Sequence, residues 1–179
     1  SNIQDFKNRD DLKIPEEKFN TYKKIFAKYN QNLKIGISWR SIINIYGKLK
    51  SIEFTNFEPF FEGNRTIFNL QYKCTQEEIQ LIKSKYKNFV NFENLDLFND
   101  IESTMAVLKN LDVFITVSNS TAHIAASLGV KTIILCPKKS TTYFYWDTKN
   151  ETSIWYKDVL AISIENSFKK TIDKVNYIL

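Results

Sequence analysis

The chain reads as an α/β domain in three layers, a mostly parallel sheet with helices on both faces. Strand-like and helix-like segments alternate along most of its length, and two of the strand segments, 113–117 and 130–135, are continuous apolar runs. Parallel neighbours need crossover connections, usually helical, and strands covered on both faces lose the alternation of a half-exposed sheet. Size points the same way: 179 residues with 43% hydrophobic content can bury one substantial core, whereas two independent domains would be cramped.

Pro15 suits the first turn of an amphipathic helix in which Phe19, Tyr22, Ile25, Phe26 and Tyr29 recur at three-to-four spacing. The expected organisation is therefore an N-terminal segment, 1–32, whose helix packs on the domain, and the domain itself, 33–179. Residues 33–39, LKIGISW, form a first strand, which feeds a polar loop carrying Arg40, Gly47, Lys48 and Lys50. A helical turn or two over 54–61 precedes a second strand at 66–72. Residues 75–87 read as helix, with Thr75, Glu77 and Glu78 as a start signal whose capping-box spacing is displaced. Strand 89–92, helix 101–111, strand 113–117, helix 121–128 and strand 130–135 follow. From Pro137 to Tyr156 the chain is aromatic and irregular, and 164–179 is a closing amphipathic helix. With four glycines, three prolines and no repeat or linker, one compact domain fits best.

Several classes are excluded on composition. There is no apolar run long enough for a membrane span and no basic-then-apolar leader, so a soluble, cytoplasmic chain is expected. Cys74 and Cys136 lie in or beside apolar segments, where a thiol behaves as a small hydrophobe, and they suit a reducing compartment. The net charge of +5 comes from lysines scattered among acidic residues, which describes a solvated surface and no nucleic-acid partner.

In an open parallel sheet, ligands sit beyond the carboxyl ends of the strands. Strand 113–117 leads there into Ser118, Asn119, Ser120 and Thr121, three hydroxyls and an amide at a helix start. Such a start offers unpaired N–H groups and the positive end of the peptide dipole to a phosphate. The same residue types are ordinary N-caps, and both readings stand. His123, the only histidine, falls in the first helical turn, where it either donates to a ligand oxygen or simply packs. With no Cys, Asp or Glu at ligand spacing around it, no metal is expected. The dinucleotide signature GxGxxG is missing, and so is Asp-x-Asp.

The turn continues into Ala122, His123, Ala125, Leu128 and Gly129, and the whole stretch, VFITVSNSTAHIAASLGVKTIIL, resembles the donor-binding, C-terminal half of GT-B glycosyltransferases. The likeness is to the bacterial lipopolysaccharide heptosyltransferase group and its tetratricopeptide-linked relatives, and more distantly to O-GlcNAc transferase. Lys48, Lys50, Ser51 and Ile52 match a basic stretch after the first strand, and Leu70-Gln71 a strand ending. Thr104, Ala106, Leu111 and Asp112 match the preceding helix, and Trp155-Tyr156 a late aromatic pair. Many relatives carry Asp where this chain has Ser118.

The resemblance implies a Rossmann-like domain that binds a nucleoside-diphosphate sugar as substrate, with no cofactor and no metal. Ser118, Asn119, Ser120, Thr121 and His123 would hold the diphosphate, and Lys48 or Lys50 would neutralise charge on the leaving group. Gln71 either contacts base or ribose or has a structural role at its strand end. One of Tyr143, Tyr145, Trp146 and Trp155 stacks on the ligand, or all of them anchor the last segment. An acceptor domain with the general base is absent, so the chain is expected to be the donor half of a longer protein, inactive in transfer alone. A heptose and an N-acetylhexosamine both fit. The alternative is a non-catalytic Rossmann-like module for ligand binding or interaction.

Overall fold

The computed structural model describes residues 12–42, 44–137, 145–147, 150–164 and 168–179. Six strands form one parallel sheet: β1 (Leu33–Ser38), β2 (Arg65–Asn69), β3 (Phe89–Val90), β4 (Val113–Thr116), β5 (Thr132–Cys136) and β8 (Val159–Ser163), in the order β3-β2-β1-β4-β5-β8. A short antiparallel hairpin, β6 (Trp146–Asp147) and β7 (Thr152–Ser153), is inserted between β5 and β8. Leaving the hairpin aside, the order is that of a doubly wound Rossmann sheet, which reverses direction between β1 and β4.

Side chains alternate across the strands and divide the core in two. Ile35, Ile37, Ile67, Val113, Ile115, Ile133 and Leu135 face one side. They meet α3 (Gln76–Lys85) through Ile79 and Ile82, α6 (Phe168–Ile178) through Ile172 and Val175, and a 3-10 helix, Phe54–Phe61, through Phe57, Phe60 and Phe61. On the other side Phe68, Leu70 and Phe114 meet α1 (Glu16–Phe26), α4 (Ile101–Lys109) and α5 (Ser120–Ser127). Phe26 of α1 stacks on Phe68, centroids 4.3 Å apart and planes 22° off parallel, which seats the N-terminal helix on the sheet. Gly36 belongs to this second face. A Cβ there would come within 2.4 Å of Leu111 Cδ1 and 2.9 Å of Leu70 Cδ1, so the strand is glycine where two leucines and Phe114 close over it.

Helix ends follow local chemistry. Thr75 caps α3 in a complete capping box: its side chain accepts from the Glu78 N–H, and the Glu78 carboxylate accepts from the Thr75 N–H. The box is in register after all, because Glu78, not Glu77, is the third helical residue. Asp100 caps α4 by accepting from the Ser103 N–H at 3.0 Å, and Lys18 of α1 reaches the same carboxylate at 2.5 Å. Gly129, at φ +66°, stops α5: the N–H of Val130 reaches the Ala125 carbonyl and that of Gly129 the Ala126 carbonyl, a Schellman ending.

Two expectations are corrected. The polar loop after β1 is largely helical, α2 (Asn44–Lys50), because Gly47 lets it lie against the Ser41 carbonyl: a Cβ there would be 2.5 Å from that oxygen. The aromatic stretch holds the β6–β7 hairpin, and β8 follows it. VLAIS is too short for its periodicity to separate strand from helix, and it becomes a strand by pairing with β5, Thr132↔Val159 to Cys136↔Ser163. Tyr143, among the candidate stacking aromatics, lies outside the described residues.

Replacing Asp100 by Ala should lower stability by about 1 kcal/mol in urea unfolding, the usual worth of a cap. Hydrogen bonds from Lys18 and Ser103 hold the Asp100 carboxyl at about 2, below its ordinary 3.8. Its contribution is therefore present above pH 3.8 and is lost as pH falls through about 2, and Asp100→Asn should keep the cap while removing that acid dependence. Gly36→Ala should cost about 1–3 kcal/mol in the same assay, because three packed side chains must shift together.

Candidate functional site

The carboxyl ends of β1 and β4 lie level, with Ser38 paired to Thr116. Both strands end in hydroxyl side chains, Ser38 and Thr116, that Asn119 bridges. Asn119, the N-cap of α5, accepts from the Ala122 N–H through Oδ1 at 3.0 Å and donates through Nδ2 to Ser38 Oγ at 3.0 Å and Thr116 Oγ1 at 3.2 Å. Gln71, just past β2, accepts through Oε1 from the Trp39 N–H at 2.8 Å, the Arg40 N–H at 2.7 Å and the Ser38 hydroxyl at 3.2 Å. Its Nε2 donates to the Tyr72 carbonyl at 2.7 Å. Gln71 is thus fully buried as the clamp between two strand ends.

Above this lattice opens a cleft of about 380 Å³, bordered by Ser38, Arg40, Tyr72, Phe98, Ser120 and Thr121 among others. The first-turn N–H groups of α5, which a helix cannot satisfy internally, belong to the residues on its wall. Tyr72 and Phe98 stack at 5.1 Å and 19°, and Phe98 is 61% exposed. Arg40 is committed elsewhere: it grips Glu78 with two nitrogens, at 2.5 and 2.9 Å, and that contact raises the guanidinium further above its ordinary value. Burial, with the Glu78 charge added, pushes the nearby Cys74 thiol up to about 11, so it stays protonated and unreactive. A larger hollow of about 500 Å³ between Tyr29, Asn32, Lys83 and Asn91 shares no residue with this cleft.

The two lysines are separated by the turn of α2. Lys48 is exposed, whereas Lys50 is 9% exposed. Ser51, next in sequence, closes the segment on itself, donating to the Gly47 carbonyl at 2.7 Å and accepting from the Ser41 N–H at 3.1 Å. Lys50 lies near enough to His123 for its charge, after burial, to lower the imidazole below 6.5. His123 stacks on Trp146 at 4.7 Å and 25°, meets Tyr145 edge-on at 4.9 Å, and places Nδ1 3.0 Å from the Tyr156 hydroxyl.

The structure therefore brings Asn119, Ser120 and Thr121 to the cleft, whereas Lys50 and His123 lie beside each other and neither borders it. Ser118 is buried, and its hydroxyl accepts from Trp146 Nε1 at 2.9 Å. Tyr145 packs on both Trp146 and Trp155, and Tyr145 and Trp146 pack around His123. Sequence reasoning missed Ser38, Tyr72 and Phe98. Phe98 had a signal, an exposed aromatic among polar residues, but its meeting with Tyr72 is a tertiary fact. Among the described residues no three His, Cys, Asp or Glu side chains form a metal cluster, and no helix is long and apolar enough to cross a membrane.

No family model matches the chain, and no curated protein does. Solved structures do. The chain is similar to a glycosyl transferase of family 9 from Veillonella parvula DSM 2008, with 15% identity and a TM-score of 0.58, covering 93% of this chain and 47% of that one. It is also similar to the ADP-heptose lipopolysaccharide heptosyltransferase II of E. coli, with 11% identity and a TM-score of 0.60, covering 93% and 52%. At such identities the likeness is one of fold, and the chain spans about half the length of these enzymes.

Because the folded imidazole of His123 is held below its ordinary 6.5, the unfolded chain binds the proton first as pH falls. The native state should keep its full stability above pH 6.5 and lose part of it below. The depressed carboxylates Glu77, Glu78, Asp96 and Asp100 act in the same direction only below their own ordinary values of 4.5 and 3.8. Melting midpoints between about pH 7.5 and pH 5 should therefore fall, and the slope should flatten in His123→Gln.

Proposed function

We propose that this chain is the donor-binding half of a metal-independent GT-B glycosyltransferase, and that the cleft at the β1–β4 switch holds a nucleoside-diphosphate sugar. One observation carries this reading. The cleft opens where the strand order reverses, and one wall is the first turn of α5 while another is the exposed Phe98 on Tyr72. Anion donors and an aromatic platform lining one hollow suit a ligand with a diphosphate and a base. The fold shared with two glycosyltransferases supports the reading without choosing the sugar or the base.

In this proposal the backbone N–H groups and hydroxyls of Ser120 and Thr121 take the diphosphate oxygens. Lys50 supplies the charge that offsets the leaving group: a partly desolvated cation acts more strongly on a developing anion than an exposed one such as Lys48. His123, beside Lys50 and off the cleft wall, adds a neutral donor to the part of the ligand that extends past the first turn of α5. Asn119 and Gln71 serve by holding the strand ends in place, not by touching the ligand. The cleft wall, among the described residues, carries no Asp, Glu or His to deprotonate an acceptor, and we assign that step to an acceptor domain facing the cleft.

Calorimetry with ADP, UDP and GDP and their sugar conjugates should detect binding of at least one of them, and no binding at millimolar concentration would sink the proposal. Thr121→Ala with His123→Ala should weaken that binding while the fold survives. Phe98→Ala should weaken it by about fivefold to a hundredfold, since one base–aromatic stack is worth about 1–3 kcal/mol. Transfer should appear only when an acceptor domain is supplied.

A further inference from the structure

We infer that Tyr156 is a positioning residue for His123: its hydroxyl donates to Nδ1 and holds the ring as the Nε2–H tautomer, so that the side chain offers a donor, not an acceptor, to the ligand. The inference rests on the donor-site reading above and specifies the chemistry of one of its groups.

The contact is direct, Tyr156 Oη to His123 Nδ1 at 3.0 Å. A phenol is a good donor and a poor acceptor, whereas the bare nitrogen of a neutral imidazole is a good acceptor, so the favourable pairing is O–H to Nδ1. That choice places the ring proton on Nε2. Reversing it would need the Nδ1–H tautomer with the weakly accepting phenol oxygen as its partner, the imidazolium, or a rotated ring. Burial and the charge of Lys50 from α2 both disfavour the imidazolium, and among the described residues Lys50 is the one charge acting on the ring. Rotation is opposed by packing: Trp146 stacks on one face and Tyr145 meets the edge.

These neighbours are themselves fixed. Trp146 is 1% exposed and donates from Nε1 to Ser118 Oγ, so the residue before the cap of α5 sets the plane on which His123 lies. Ser153 holds the other side, donating to the Tyr145 carbonyl at 2.9 Å and accepting from the Tyr156 N–H at 3.3 Å. The hairpin and the residues after it thus act through His123 on the start of α5. A phosphate oxygen, an acceptor only, is the ligand group that an Nε2–H tautomer selects.

His123 is the only histidine of the chain, so its ring is directly visible in a protein labelled with 15N-histidine. A long-range proton–nitrogen spectrum of the nucleotide-free wild type at about pH 7.5 should show the Nε2–H tautomer in large excess. Folded Tyr156→Phe should show both tautomers. A wild type dominated by Nδ1–H would overturn the inference, and so would a folded Tyr156→Phe with unchanged tautomer populations. Should that variant fail to fold, the wild-type spectrum decides alone. Adding ADP or UDP to the same sample separates the two proposals. The expected tautomer with no shift at Nε2 would count against the donor site while leaving the Tyr156 contact standing.

Discussion

The architecture of this molecule depends on two side-chain amides, the buried Gln71 and the half-buried Asn119. Three strands leave the sheet within one small region, and their first free backbone groups would repel or stay unsatisfied if nothing joined them. Gln71 gathers three donors from the exit of β1 onto one oxygen, and Asn119 ties the exit of β4 to Ser38 while capping α5. Ser38 is shared, donating to one amide and accepting from the other. The cleft has a rigid floor because that floor is hydrogen-bonded across strands rather than packed by apolar residues. Removing either amide would leave buried donors or acceptors without partners, which costs more than the bond itself contributes.

The sheet was legible because its strands are local patterns. Apolar runs such as VFIT and TIILC are buried on both faces, and the helices between them carry three-to-four spacing. The elements that escaped are those whose identity is non-local. β8 is a strand because β5 lies beside it, and α2 is a helix because Gly47 lets the chain fold against Ser41. The Ala-His and Leu-Gly frame proves to be partly mechanical: Leu128-Gly129 ends α5 through a left-handed glycine and a Schellman pair, and Lys109 donates to the Leu128 carbonyl.

The site was legible at the turn and obscure around it. A small polar cluster after an apolar strand marks a helix start at the sheet's carboxyl edge, so Asn119, Ser120 and Thr121 could be read directly. Spacing could not divide Lys48 from Lys50, since the two differ only in which side of α2 meets the domain. Nor could it show that Gln71 is occupied by backbone donors, or that Phe98 comes to rest on Tyr72. These are meetings between segments, decided by how the loops close over the strand ends.

Glu78 has two duties that belong to different parts of the fold. It completes the capping box at the start of α3, and it is the carboxylate that Arg40 grips at the edge of the cleft. Fraying of the first turn of α3 would therefore loosen Arg40, whereas the Thr75 side chain caps the helix without any contribution from Arg40. The contact links the start of α3 to the segment leaving β1, although thirty-eight residues separate Arg40 from Glu78 along the chain. The mouth of the cleft is thus only as steady as the beginning of a helix on the neighbouring strand.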